Sequence, residues 1–171
     1  MADSTHFAIL EEMVAQIKML GLTDIPQANI KAVKVEHYRE TIDPGLPGVH
    51  VMPFGSEILN ANGGTTCRDD IGYPCMVLMY DIDRQDTGTG LPADALTGTQ
   101  DETFRFDEKL HWRQQIRKRF HNQRLPLSGG YPNVYRCVIE PSEIVRPVDW
   151  LEANLWIGGV LIRAWTREER L

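Results

Sequence analysis

Two aspartates, Asp81 and Asp83, stand two residues apart at the end of the most apolar run of the chain, PCMVLMYDID. In an extended strand that spacing puts both carboxylates on one face. Paired carboxylates at a strand end can hold a divalent ion beside a phosphodiester, so a metal-dependent phosphodiesterase is the enzymatic reading this sequence best offers. It marks no third acid or basic partner nearby, and strand ends that enter loops are commonly acidic. The five histidines, His6, His37, His50, His111 and His121, form no HxH or HExxH. His37 and His50 could face each other on adjacent strands, but a pair falls short of a zinc site's ligand set. Cys67, Cys75 and Cys137 make no CxxC, and their odd number suits a reducing compartment. Ser56, Ser128 and Ser142 lack a GxSxG turn, and no Cys/His arrangement is suggested. Asn62-Gly63-Gly64 lacks the Lys-Ser/Thr with which a phosphate loop holds phosphate and metal. None of these patterns makes an enzyme or a metal site the favoured reading.

The second chemically distinctive feature is charge. Residues 105–124, RFDEKLHWRQQIRKRFHNQR, hold seven Lys/Arg and two Asp/Glu, a balance of +5 in a chain of net −6, so the remainder carries −11. With Phe106 at 0° on a helical wheel, Leu110 falls at ~40°, Phe120 at ~320°, Ile116 at ~280° and Trp112 at ~240°. Arg113 at ~340° and Arg117 at ~20° lie inside that apolar arc, as snorkelling stems or as cations aimed at acids. Lys118, Arg119 and Arg124 point elsewhere, which admits a nucleic-acid adaptor as a reading. Such a grip wants exposed aromatics, yet Phe106, Trp112 and Phe120 belong to the apolar arc. Pairing with acids of the same chain, or of another copy, is the favoured reading. An acidic chain also argues against adsorption to anionic membrane.

These residues need a scaffold. A chain of 171 residues, 42% apolar and 25% charged, is expected to form one soluble domain. MADSTHF carries no signal-peptide pattern and no stretch is long enough to span a bilayer, so folding in the cytoplasm is expected. In FAILEEMVAQIKML, the residues Phe7, Ile9, Leu10, Met13, Val14, Ile17 and Leu20 share an arc of about 160°, with Ser4 or Thr5 placed to cap and Gly21 at C′. IKAVKVEHY predicts a first strand, and VHVMPF a second after the turn DPGLPG. Residues 55–72 and 84–101 read as two long polar loops, the first either a long hairpin tip or a mobile loop. PCMVLMYDID, contiguous and apolar, predicts a central strand covered on both faces. A helix over about 103–122 follows. NVYRCVIEP is a strand with Val134, Arg136, Val138 and Glu140 on one face, and Tyr135, Cys137 and Ile139 on the other. SEIVRPVDWLEANL reads as short extended pieces or a loop. WIGGVLIRAWTRE is a last strand, kinked at Gly158-Gly159, with Val160, Ile162 and Ala164 opposite Leu161, Arg163 and Trp165. Strands joined by turns make a mostly antiparallel sheet, and the whole reads as an α+β two-layer sandwich with amphipathic helices on one face.

That layout resembles the tail-terminator and neck proteins, the head–tail joining family, of long-tailed bacteriophages. AILEEMVAQIKMLGL, LPGVHVMPF, YPCMVLMYDIDRQD, DEKLHWRQQIRKRF, YRCVIEP and GGVLIRAWTRE carry the resemblance, in their order and spacing across nearly the whole chain. It implies a virion structural protein without catalysis or cofactor, made in the host cytoplasm, that forms a homo-oligomeric ring, commonly hexameric, on the tail tube. The ring would stop tube growth and meet the head connector. Its implied partners are further copies of itself, the tail tube protein and the connector, with at most weak contact to passing DNA and none to membrane. Another neck or tail-completion protein is the near alternative. Read this way, the two polar loops are arms toward neighbouring subunits, and Arg68, Asp69, Asp70, Lys118, Arg119, Arg124, Trp150 and Trp156 are the candidate intersubunit residues.

Overall fold

The computed structural model describes residues 4–34, 46–60, 68–82, 106–142, 144 and 155–169. Helix α1, Thr5–Leu20, begins where the Ser4 hydroxyl accepts the Phe7 N–H at 3.2 Å. It ends at Gly21, whose φ of 59° supplies the left-handed turn. Its buried stripe is Ile9, Leu10, Met13, Gln16 and Ile17, while Phe7, placed in the apolar arc by periodicity, is 41% exposed. A single 3₁₀ turn, Gln27–Asn29, leads into β1, Ile30–Ala32. The remaining strands are β2 Gly48–Pro53, β3 Ile58–Asn60, β4 Arg68–Ile82, β5 Val134–Glu140 and β6 Leu155–Glu169, with helix α2, Phe106–Phe120, between β4 and β5.

The six strands form one sheet in the order β1-β2-β4-β6-β5, with β3 beside β4 further along the edge that β2 occupies. The sheet is antiparallel at every pairing but β1–β2, which is parallel with Ile30 opposite Val49. The expectation that turns join all neighbouring strands therefore fails at this first pair. With two helices packed against the sheet, the fold is the α+β arrangement expected. Its spine is the β4–β6 pair, in register from Arg68↔Glu169 to Ile82↔Leu155. Pairing with β4 runs unbroken through Gly158 and Gly159.

The apolar run of β4 is covered on both faces, as its contiguity predicts. Cys75, Val77 and Met79 join the main core with α1, α2, Val49, Val51, Val160 and Ile162. Met76, Leu78 and Tyr80 join a second cluster on the opposite face with Met52 and Ile157. Of the two readings of the 55–72 stretch the hairpin is the one observed, with Ile58–Asn60 paired to Asp70–Gly72. One expectation changes. In β5 a register shift between Val134 and Arg136 puts Val134 in the core together with Cys137 and Ile139, rather than opposite them. A bulge adds one residue and so reverses the facing of everything before it. Residues 84–101 and nearly all of 143–154 lie outside the described residues.

Candidate assembly surface

Helix α2 carries the basic segment, and its packing sorts the cations. The buried residues are Trp112, Ile116, Phe120 and Lys109. Lys109 stands at ~300° on the same wheel, the middle of the buried arc. Its ammonium is ion-paired with the Asp81 carboxylate and lies 4.1 Å from the Trp112 ring centroid. Trp112 in turn meets Trp156 edge to face at 6.4 Å. Leu110 and Arg117, placed inside the arc by periodicity, are exposed. The buried stripe, from Trp112 to Phe120 on the wheel, is centred about 40° from the centre of the apolar arc.

Arg113 is a structural residue. Its guanidinium donates to the Gly159 carbonyl at 3.1 Å, and to the Ser142 carbonyl at 3.4 Å and hydroxyl at 3.2 Å. The Ser142 hydroxyl donates to the same Gly159 oxygen at 3.0 Å. The reason is topological. Strand β5 ends at Glu140, opposite Leu161, so the edge of β6 beyond it needs other donors. Burial lowers the Arg113 pKa, and neighbouring Arg117 lowers it further. Arg119 also bonds within the molecule, donating to the Gln16 amide oxygen, while Gln16 donates to Glu12. It ties α2 to α1.

Arg117, Lys118 and Arg124 remain on the outside. Arg117 and Lys118, with Gln114, His121 and Ile139, line an open groove of about 490 Å³ between α2 and β5.

At the other side of the molecule the β4–β6 ribbon ends in charge. Arg68 donates to Glu169 at 3.0 Å. Arg167 meets both oxygens of Asp70 at 2.9 and 3.4 Å and lies 5.6 Å from the Tyr135 ring. That bond holds the Asp70 carboxyl below its usual range. Arg163 forks onto Glu140 at 2.5 and 3.2 Å and reaches the Ser56 carbonyl at 3.3 Å. All of these side chains lie on one face, since they occupy alternate positions along their strands. Asp69, one residue out of phase, is half-buried.

Of the candidate residues, Arg68, Asp69 and Asp70 thus gather at the ribbon tip, and Lys118, Arg119 and Arg124 on and just after α2. Trp156 is fully buried against Trp112 and serves the core, so it has no surface to give a neighbour. Trp150 lies outside the described residues. So does Asp83, and so does His37, the partner considered for His50. Asp81 faces the helices and is held by Lys109, which leaves it committed where a metal ligand must be free. Among the described residues no group of three or more His, Cys, Asp and Glu is placed to hold a metal ion, and no helix is long and apolar enough to cross a membrane.

One arrangement had no signal in the spacing. Cys75 Sγ lies 3.7 Å from His6 Nε2, and His6 Nδ1 lies 3.7 Å from a Glu57 oxygen. A thiol, an imidazole and a carboxylate in line are the parts of a nucleophilic triad. Burial opposes that use: it pushes the Cys75 thiol far above its ordinary value and lowers His6, so both are kept neutral. Cys137, also buried, is pushed up to about 12. We read the line as the contact that seats the start of α1 on β4.

No protein-family model matches this chain, and no curated protein is detectably similar to it in sequence.

Proposed function

We propose that this chain is a structural subunit of a phage virion, a tail terminator that assembles into a ring on the tail tube and meets the head connector. One observation carries the reading. Strands β4 and β6, of 15 residues each, extend about 50 Å, whereas helices of 15 and 16 residues extend only about 23 Å. The main core follows this ribbon as far as Ile71 and Thr166, and beyond them it ends in an arm of three rungs bearing Arg68, Asp69, Asp70, Arg167 and Glu169. An arm of this kind contributes little to the stability of a lone subunit, because exposed pairs such as Arg68–Glu169 are worth at most about 1 kcal/mol. It becomes useful when a neighbour covers it. The order helix, three strands, helix, two strands supports the same reading once the short β3 is counted as part of the β4 hairpin.

The test is made on particles. In the virion of the phage that encodes this chain, cryo-electron microscopy is expected to show a ring of identical subunits between tail tube and connector, with the β4–β6 arm in a subunit contact. Particles that contain tube and connector but lack this chain would overturn the proposal.

A further inference from the structure

The basic groove on α2 has an open strand edge for a floor. On the outward side of β5, Cys137 accepts from Asn122 N–H and donates to the Gln123 carbonyl, both at 2.9 Å. Alternate residues of a strand turn their main-chain groups to the same side. Ile139, two residues on, therefore presents its N–H and C=O to that side, and no segment among the described residues pairs with them. Beside Ile139 stand Gln114, Arg117, Lys118 and His121. Arg117 and Lys118 form no ion pair with any described residue. An unpaired strand edge flanked by unpaired cations fits an extended acidic segment.

This chain contains an acidic segment outside the described residues. Residues 83–102 hold five Asp/Glu against one Lys/Arg, while residues 109–124 hold six Lys/Arg and no acid. The acidic segment is tethered between Ile82 and the start of α2, and the basic groove lies at the far end of α2. Opposite charges at opposite ends of one element suit a head-to-tail contact between identical copies, and such heterologous contacts form a ring when their rotation closes. Nucleic acid fits the groove less well, since Trp112 and Phe120 are fully buried and offer no stacking surface.

We propose that the groove formed by Arg117, Lys118, His121 and the Ile139 edge is the docking site for a second copy of this chain, which lays its acidic 83–102 segment along β5. The inference rests on the ring reading and names the contact that would close the ring. The experiment uses the full chain and light scattering at low salt. Wild type is expected to assemble. Arg117→Glu with Lys118→Glu, and separately Asp94→Lys with Asp101→Lys and Glu102→Lys, are each expected to stay monomeric with unchanged circular dichroism and melting. Mixing the two variants is expected to restore assembly, because each then carries the other's complement. If the Arg117→Glu, Lys118→Glu variant keeps the wild-type mass, the groove is not the contact, though the ring reading survives. If wild type stays monomeric at every concentration on and off the tail tube, the ring reading fails first. If a short DNA duplex binds wild type but not the groove variant, and the mixed variants remain monomeric, the groove serves nucleic acid and the proposal is overturned.

Discussion

A lysine 4% exposed, ion-paired to an aspartate 8% exposed and 4.1 Å from an indole ring, has exchanged its hydration shell for protein partners. The exchange is favourable only while both partners remain, because an unpaired buried charge has nowhere to recover its solvation. Lys109→Ala should therefore cost about 3–5 kcal/mol, read as a lower urea midpoint at unchanged slope. Replacing both members together, Lys109→Met with Asp81→Leu, should cost far less than the sum of the single changes, since no charge is stranded. Equal losses in the single and double variants would show that the pair is not a unit. Asp81 stood out in the sequence as a strand-end acid. Lys109 did not, because a cation in a basic helix looks like any other until the sheet beneath is known. The same holds for Arg113, which periodicity left as either a snorkelling stem or a cation aimed at acids. It turns out to serve carbonyls that β5 leaves open.

Trp156 of β6 packs against Trp112 of α2 and leaves little room beside it. The Trp156 side chain lies back over Gly158, so that a Cβ there would come within 2.5 Å of the indole and 2.9 Å of the Ile144 carbonyl oxygen. Neither neighbour can yield, one being a packed ring and the other backbone. Gly158→Ala should destabilise by about 1–3 kcal/mol or more and should reduce the near-ultraviolet dichroism of Trp112 and Trp156. Gly72→Ala is the control. There the nearest atoms, the Arg163 Cδ at 3.0 Å and the Trp165 ring at 3.1 Å, stand farther off than the neighbours of Gly158, and a smaller loss is expected. Alternation alone predicted the facing of Val160, Ile162 and Ala164 in β6 correctly. It failed in β5, where the bulge after Val134 leaves no mark in the types of the residues around it.

Across the whole molecule, one continuous core links both helices with β1, β2, β4, β5 and β6. No part of it can lose its packing alone, so tryptophan fluorescence and far-ultraviolet dichroism should report coincident unfolding transitions in urea. An arm or helix that melted separately would split the two curves. The α+β class, the capped first helix, the central strand buried on both faces and the basic character of α2 all follow from local chemistry: period, caps and contiguity, each expressed within a dozen residues. The parallel pairing of β1 with β2, the β5 bulge, the burial of Lys109 and Trp156, and the meeting of Cys75 with His6 follow from none of these. They depend on contacts between residues far apart in the chain, where the energy of covering a charge or filling a space is set by what the other element brings. Charge asymmetry was legible as a sum, but which cations are consumed inside the chain and which stay exposed is decided only by how the helix lies on its sheet.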